Sequence, residues 1–88
     1  MAWKIEFSQT ARRQLRRIDK FWQSRILRYI DDEVAQRSDP RSLGRPLRGD
    51  KHGFWRYRVG DYRIICQIED GALIILVVTL GHRSKIYD

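Results

Sequence analysis

Two tight-turn signals, Gly60-Asp61 and Asp70-Gly71, divide the C-terminal half of the chain into three apolar runs. This constrains the fold more than any other feature. Residues 54–59 alternate apolar and polar, residues 62–69 return, and residues 72–80 are apolar nearly throughout, as in a strand covered on both faces. Turns this short join antiparallel neighbours, so the runs predict a three-stranded antiparallel meander, whose middle strand can lie between the other two, while the strand order of the whole sheet stays open. The tail, residues 81–88, is expected to leave the sheet.

Upstream, Trp3-Lys4-Ile5-Glu6-Phe7 alternates strictly and reads as a half-buried strand. Ser8 follows as an N-cap, and Ala11, Leu15 and Ile18 recur at i, i+4, i+7 on a short helix. Its other face carries Arg12, Arg13, Arg16 and Arg17. A second helix is expected from near Asp19, with Trp22, Ile26, Ile30 and Val34 every fourth residue and Phe21 and Leu27 widening the stripe. It must end before Pro40, which disfavours helical geometry at Asp39. Residues 38–52 form the one break in composition, and Pro46-Leu47-Arg48-Gly49 is expected to pack its leucine and expose its arginines. The order predicts an α+β fold of two layers. An N-terminal strand, a two-helix hairpin and a three-stranded antiparallel meander place the helices on one face of a four-stranded sheet.

With 88 residues there is room for a single domain, residues 1–88. The longest apolar run has nine residues, about half the ~18 needed to span a bilayer. The N-terminus lacks the continuous apolar stretch of a secretory signal. A lone cysteine, Cys66, excludes an internal disulfide framework and a multi-cysteine metal site, and reads as a small core residue. These features lead us to expect a soluble cytoplasmic protein with no membrane segment. Eighteen Lys and Arg against eleven Asp and Glu give a net charge of +7, and fourteen of the eighteen cations are arginine. Lysine would serve solubility as well, whereas the arginine fork matches phosphate and stacks on bases. The balance favours nucleic acid or an acidic protein as partner over a small neutral substrate.

Alternation along residues 54–59 puts Trp55, Tyr57 and Val59 on one face and Phe54, Arg56 and Arg58 on the other. In a meander, Arg56, Arg58, Arg63 and Arg83 converge on the sheet face that the helices leave open. Two readings of that face remain: an anion site, or a solvated basic surface paired with surface acids. His52 and His82 are the only histidines, and His82, between Gly81 and Arg83 and shortly before Tyr87, is the stronger candidate for proton exchange near neutral pH. Tyr62 and Trp55 are read as core residues or as stacking platforms for a base. Asp31, Asp32 and Glu33 read as solvated helix charges. No glycine-rich phosphate loop, zinc motif or Ser/His/Asp grouping stands out, so neither cofactor nor metal is expected.

The ordered set Leu47-Arg48-Gly49, Trp55-Arg56-Tyr57-Arg58-Val59, Asp61-Tyr62-Arg63-Ile64, Gly81-His82-Arg83 and Ile86-Tyr87 resembles the RelE family of toxins, within the RelE/ParE superfamily. The resemblance spans essentially the whole chain. It implies a RelE-like fold and inhibition by a co-expressed antitoxin in a hetero-oligomer, while the charge of +7 favours a monomer when the antitoxin is absent. The implied activity is a metal-independent endoribonuclease that cuts mRNA in the A site of the 70S ribosome. Arg56 and Arg58 match the two basic positions of the family's second strand, where RelE itself has lysines. Arg63, Arg83 and Tyr87 match the arginine of the next strand, the arginine after the last strand and the terminal tyrosine. With His82 they form the implied catalytic set, while Arg45, Arg48, Lys51, His52, Tyr62 and Lys85 are the expected RNA contacts. Two other functions fit the same pattern: a ParE-like inhibitor of DNA gyrase, and a non-catalytic basic module that binds RNA.

Overall fold

The structure is a computed structural model and describes residues 3–49 and 53–85. Strand β1 (Lys4–Phe7) leads into helix α1 (Gln9–Arg17) and helix α2 (Lys20–Arg28), which continues as a π-helical segment over Tyr29–Val34. A 3-10 turn at Pro40–Leu43 and a two-residue strand β2 (Arg45–Pro46) precede β3 (Phe54–Val59), β4 (Tyr62–Glu69) and β5 (Ile74–His82). The strands lie in the order β1-β5-β4-β3-β2. All neighbours are antiparallel except β1 and β5, which run parallel. The antiparallel meander is as the turn chemistry predicts, and the structure decides the strand order, with β4 at the centre and β5 between β4 and β1. The sheet has five strands rather than four, because Arg45 and Pro46 add a short edge opposite Arg56 and Trp55. Gly81 and His82 remain in β5, paired with Arg63 and Tyr62, so the strand runs two residues further than expected.

Both helices start where their caps dictate. The Ser8 hydroxyl accepts from the Ala11 N–H at 3.0 Å and donates to the Val78 carbonyl at 2.6 Å, so one side chain caps α1 and ties it to β5. The Asp19 carboxylate accepts from the Trp22 N–H at 3.0 Å. The change to π geometry after Arg28 answers the sequence pattern. A repeat of four outruns the 3.6 residues of an α-helical turn, and wider winding keeps Ile30 and Val34 above the core in line with Ile26. The Ala35 N–H, bonded to the Ile30 carbonyl at 2.8 Å, closes that wider turn. Phe21 and Leu27 do not join the stripe. Phe21 is 61% exposed, and both fall outside the arc that faces the sheet.

The core lies between the helices and one sheet face, with Ala11, Ile26, Ile30 and Val34 packed against Tyr57, Val59, Ile64, Cys66, Ile75, Val77 and Leu80. The shift from odd to even numbers along β5 has a local cause. A bulge between the pairs Cys66–Val77 and Ile65–Thr79 inserts Val78, so Leu80 turns into the core and Gly81 toward the other face. Past Phe7, β1 no longer covers β5, and Gln14 takes its place. Its Oε1 accepts from the Leu80 N–H at 2.7 Å, and its amide bonds the Thr79 hydroxyl. Leu47 is buried while Arg45 and Arg48 are exposed, as their loop pattern predicts.

Candidate nucleic-acid site on the open sheet face

Register decides which cations meet. Arg58 stands opposite Arg63 across β3 and β4, Arg56 lies two residues along from Arg58, and Arg45 stands opposite Arg56 on the edge strand. All four side chains emerge from the face away from the helices. Directly opposed like charges destabilise a sheet, so the Arg58–Arg63 pair is not a choice made for stability. The Arg56 guanidinium is held below the ordinary arginine value, first by burial and then by the positive charges of Arg63, Arg58 and Arg45. That ranking places four cations in one field. Opposite Arg63 on β5 is Gly81, so β5 contributes no side chain there.

Arg83 lies just past the end of β5, beside the β3–β4 turn. Its N–H donates to the Asp61 carbonyl at 2.8 Å, and its Nε lies 3.8 Å from the Asp61 carboxylate. Asp61, a turn residue in the sequence reading, therefore sets where Arg83 stands. Two clefts flank the row. One, of about 320 Å³, is lined by Arg45, Pro46, Leu47, Arg48 and Arg56. The other, of about 110 Å³, is lined by Tyr29, Leu43, Arg45, Arg56 and Arg58.

The loop that presents Arg45 and Arg48 is strapped to the sheet by contacts invisible in the sequence. Arg41 holds Asp70 bidentately at 2.6 and 3.1 Å and Asp39 at 3.2 Å, with its guanidinium 5.9 Å from the Trp55 ring centroid. The buried Tyr57 hydroxyl donates to the Pro40 carbonyl at 2.8 Å, and burial pushes its phenol above the ordinary value. The residues involved lie 17 and 29 positions apart, beyond the reach of any local pattern.

His82 is not brought to the arginine row. It pairs with Tyr62, and Tyr62 faces the helices. The rings run in series from Phe21 to Trp22 (5.3 Å), Trp22 to Tyr62 (5.4 Å) and Tyr62 to His82 (5.8 Å). The His82 Nδ1 is 3.0 Å from the Ser84 hydroxyl. Alternation explains the placement, because Gly81 faces the arginines and its neighbour must face the other way. Tyr62 is half-buried in this stack, which accounts for it as a packing residue. Trp55 likewise packs against the core, and Cys66 is buried, its thiol pushed up by burial. Lys85 is exposed in the turn after β5. Lys51, His52 and Tyr87 lie outside the described residues. Among the described residues no group of three His, Cys, Asp or Glu side chains is placed to hold a metal ion, and no helix is long and apolar enough to cross a membrane.

This two-layer α+β fold has known counterparts. Residues 5–87 match the family described as the ParE toxin of type II toxin–antitoxin systems. Toxin RelG of Mycobacterium tuberculosis is 26% identical over 87 residues, covering 99% of this chain and 98% of its own length. Toxin RelE of the same organism is 29% identical over 83 residues, 94% of this chain and 84% of its own. Among solved structures, the M. tuberculosis RelBE2 toxin–antitoxin complex superposes with a TM-score of 0.87 at 24% identity, covering 97% of this chain and 95% of that one. The isolated Escherichia coli RelE toxin superposes at 0.72 with 16% identity, covering 92% and 84%. The chain belongs to the ParE toxin family of type II toxin–antitoxin systems, within the RelE/ParE superfamily.

Proposed function

We propose that this toxin stops translation by cutting mRNA in the ribosomal A site, without a metal ion. The observation that carries the reading is the arginine row, four guanidiniums gathered on one open sheet face with Arg83 at its end. RNA supplies its own nucleophile. The 2′-oxygen bonds to phosphorus, the bond to the 5′-oxygen breaks, and the products are a 2′,3′-cyclic phosphate and a 5′-hydroxyl. The intermediate phosphorane carries extra negative charge, and fixed cations aimed at it supply several kcal/mol in sites of this type. In this reading Arg63 and Arg83 hold the scissile phosphate, while Arg56 and Arg58 neutralise it and its neighbours. Arg45, Arg48, Lys51, His52 and Lys85 bind the flanking strand.

Arginine stays charged at any ordinary pH, so the proton of the 2′-hydroxyl must go elsewhere and the 5′-oxygen must receive one. Tyr87 and His82 are the two candidates. The stacking of His82 on Tyr62, on the helix side, favours Tyr87 for the base. Several arginines beside a phenol would lower its pKa from about 10 toward the working range. An antitoxin partner follows from the relatives solved as toxin–antitoxin complexes. The free toxin is a cytoplasmic monomer in this reading, and an acidic antitoxin segment covers the arginine row.

Primer extension on a defined mRNA, translated in a purified bacterial system, tests the reading. New 5′ ends within codons are expected, absent without ribosomes and lost with Arg63→Ala or Arg83→Ala. Tyr87→Phe should lower the rate at least tenfold and His82→Gln less; no drop with either would overturn the proton assignment. The family match also favours a second reading, a ParE-like gyrase inhibitor. Intact mRNA together with blocked supercoiling would establish that one instead. RNA binding with neither effect would leave a non-catalytic module.

A further inference from the structure

Helix α1 carries a charge pattern that the sheet-face site does not use. Arg12, Arg13, Arg16 and Arg17 are all exposed, and the helix contains no acidic residue. At 3.6 residues per turn they share an arc of about 140°, turned away from Ala11 and Leu15. None of the four forms an ion pair among the described residues. Arg12–Arg16 and Arg13–Arg17 are like-charge pairs at i,i+4, which weaken a helix, and only Arg16 and Arg17 lie in the last turn, where cations are favoured. Stability gives no reason for this cluster.

Its position matters as much as its charge. Helix α1 packs on β5 from the side opposite Arg56, Arg58 and Arg63, so two basic surfaces are separated by both layers of a molecule measuring 32 × 29 × 22 Å. One RNA strand laid on the sheet face does not reach both. The i,i+4 spacing repeats the guanidiniums about every 6 Å along the helix axis, in two adjacent rows. The helix has no aromatic residue on which an unpaired base could stack. A duplex hides its bases and presents rows of phosphate and ribose, which suits a surface of arginines alone. An amphipathic acidic peptide would need an apolar stripe here, and the arc has none.

We propose that the Arg12, Arg13, Arg16 and Arg17 face of α1 is a second phosphate-binding surface that docks the backbone of double-helical RNA. The proposal rests on the ribosome reading, because folded ribosomal RNA can meet both faces of the toxin at once. It is tested apart from cleavage. Binding to a short blunt RNA duplex is measured against salt for the wild type and for the combined Arg12→Gln, Arg13→Gln, Arg16→Gln, Arg17→Gln variant. The log–log slope should fall by roughly 3.6, and by roughly 0.9 for Arg13→Gln or Arg17→Gln alone, which guards against misfolding of the combined variant. The same loss is expected in an Arg63→Ala, Arg83→Ala background, whether or not the wild type cuts mRNA. An unchanged slope overturns the proposal. So does tighter binding of this face to a poly-glutamate peptide of equal charge, which would assign it to a protein partner.

Discussion

Gly60 closes the β3–β4 hairpin with φ +58°, directly beneath the Trp22 indole. A β-carbon at this position stands 2.5 Å from Cη2 and 2.7 Å from Cζ3 of Trp22, closer than real side chains approach. Gly60→Ala therefore incurs two costs. Left-handed backbone costs an L-residue about 1–2 kcal/mol. Overpacking against the indole, itself wedged between Phe21 and Tyr62, adds about 1–3 kcal/mol. The sum, about 2–5 kcal/mol, is a large share of the 5–15 kcal/mol that holds a typical domain together. Urea unfolding followed by circular dichroism reads it as a lower midpoint at an unchanged slope. Adding Trp22→Leu separates the parts. With the ring gone the overpacking vanishes, so the double-mutant cycle should return a coupling of about 1–3 kcal/mol and leave the backbone cost. A Gly60→Ala protein within about 0.5 kcal/mol of wild type would refute the packing argument. The same turn sets Arg58 opposite Arg63, so under the proposed function RNA binding should weaken alongside stability.

Tyr57→Phe leaves the buried Pro40 carbonyl without its donor and should cost about 1–3 kcal/mol in denaturant unfolding. Ser8→Ala removes both the α1 cap and the bond to Val78, an expected loss of about 1–2 kcal/mol by the same assay. The Arg41 hydrogen bonds hold the Asp70 carboxyl below its ordinary value of 3.8. Because the folded value is the lower one, the pair stabilises the protein above 3.8, and its contribution is lost as pH falls through the lowered value. The stability difference between wild type and Arg41→Ala, measured against pH, should shrink across that window; a constant difference would show that Arg41 acts through packing on Trp55 alone.

How much of this was legible before folding depends on the range of the interaction involved. Caps, turns and periodicity act over a few residues, so Ser8, Asp19, Gly60-Asp61 and the alternation of residues 54–59 define the elements and their inward faces. The same alternation separates Arg56 and Arg58 from Tyr57, and the open arginine face follows once the strands pair as a meander. Two elements departed from the local pattern for physical reasons. The edge strand β2 is too short to show a period, and the π segment arises because a four-residue repeat must stay over a flat sheet.

What tertiary structure alone decides is the phase and company of side chains at the site. The bulge at Val78 turns Gly81 toward Arg63 and therefore carries His82 away, although His82 and Arg83 are adjacent in the chain. The Arg41–Asp70 strap and the Tyr57–Pro40 bond, which seat the arginine loop, join residues 29 and 17 positions apart. The parallel placement of β1 against β5 joins the two ends of the chain and has no local signature. Backbone geometry repeats with short, readable periods, whereas a single inserted residue or a long-range ion pair changes which groups meet without changing any local pattern.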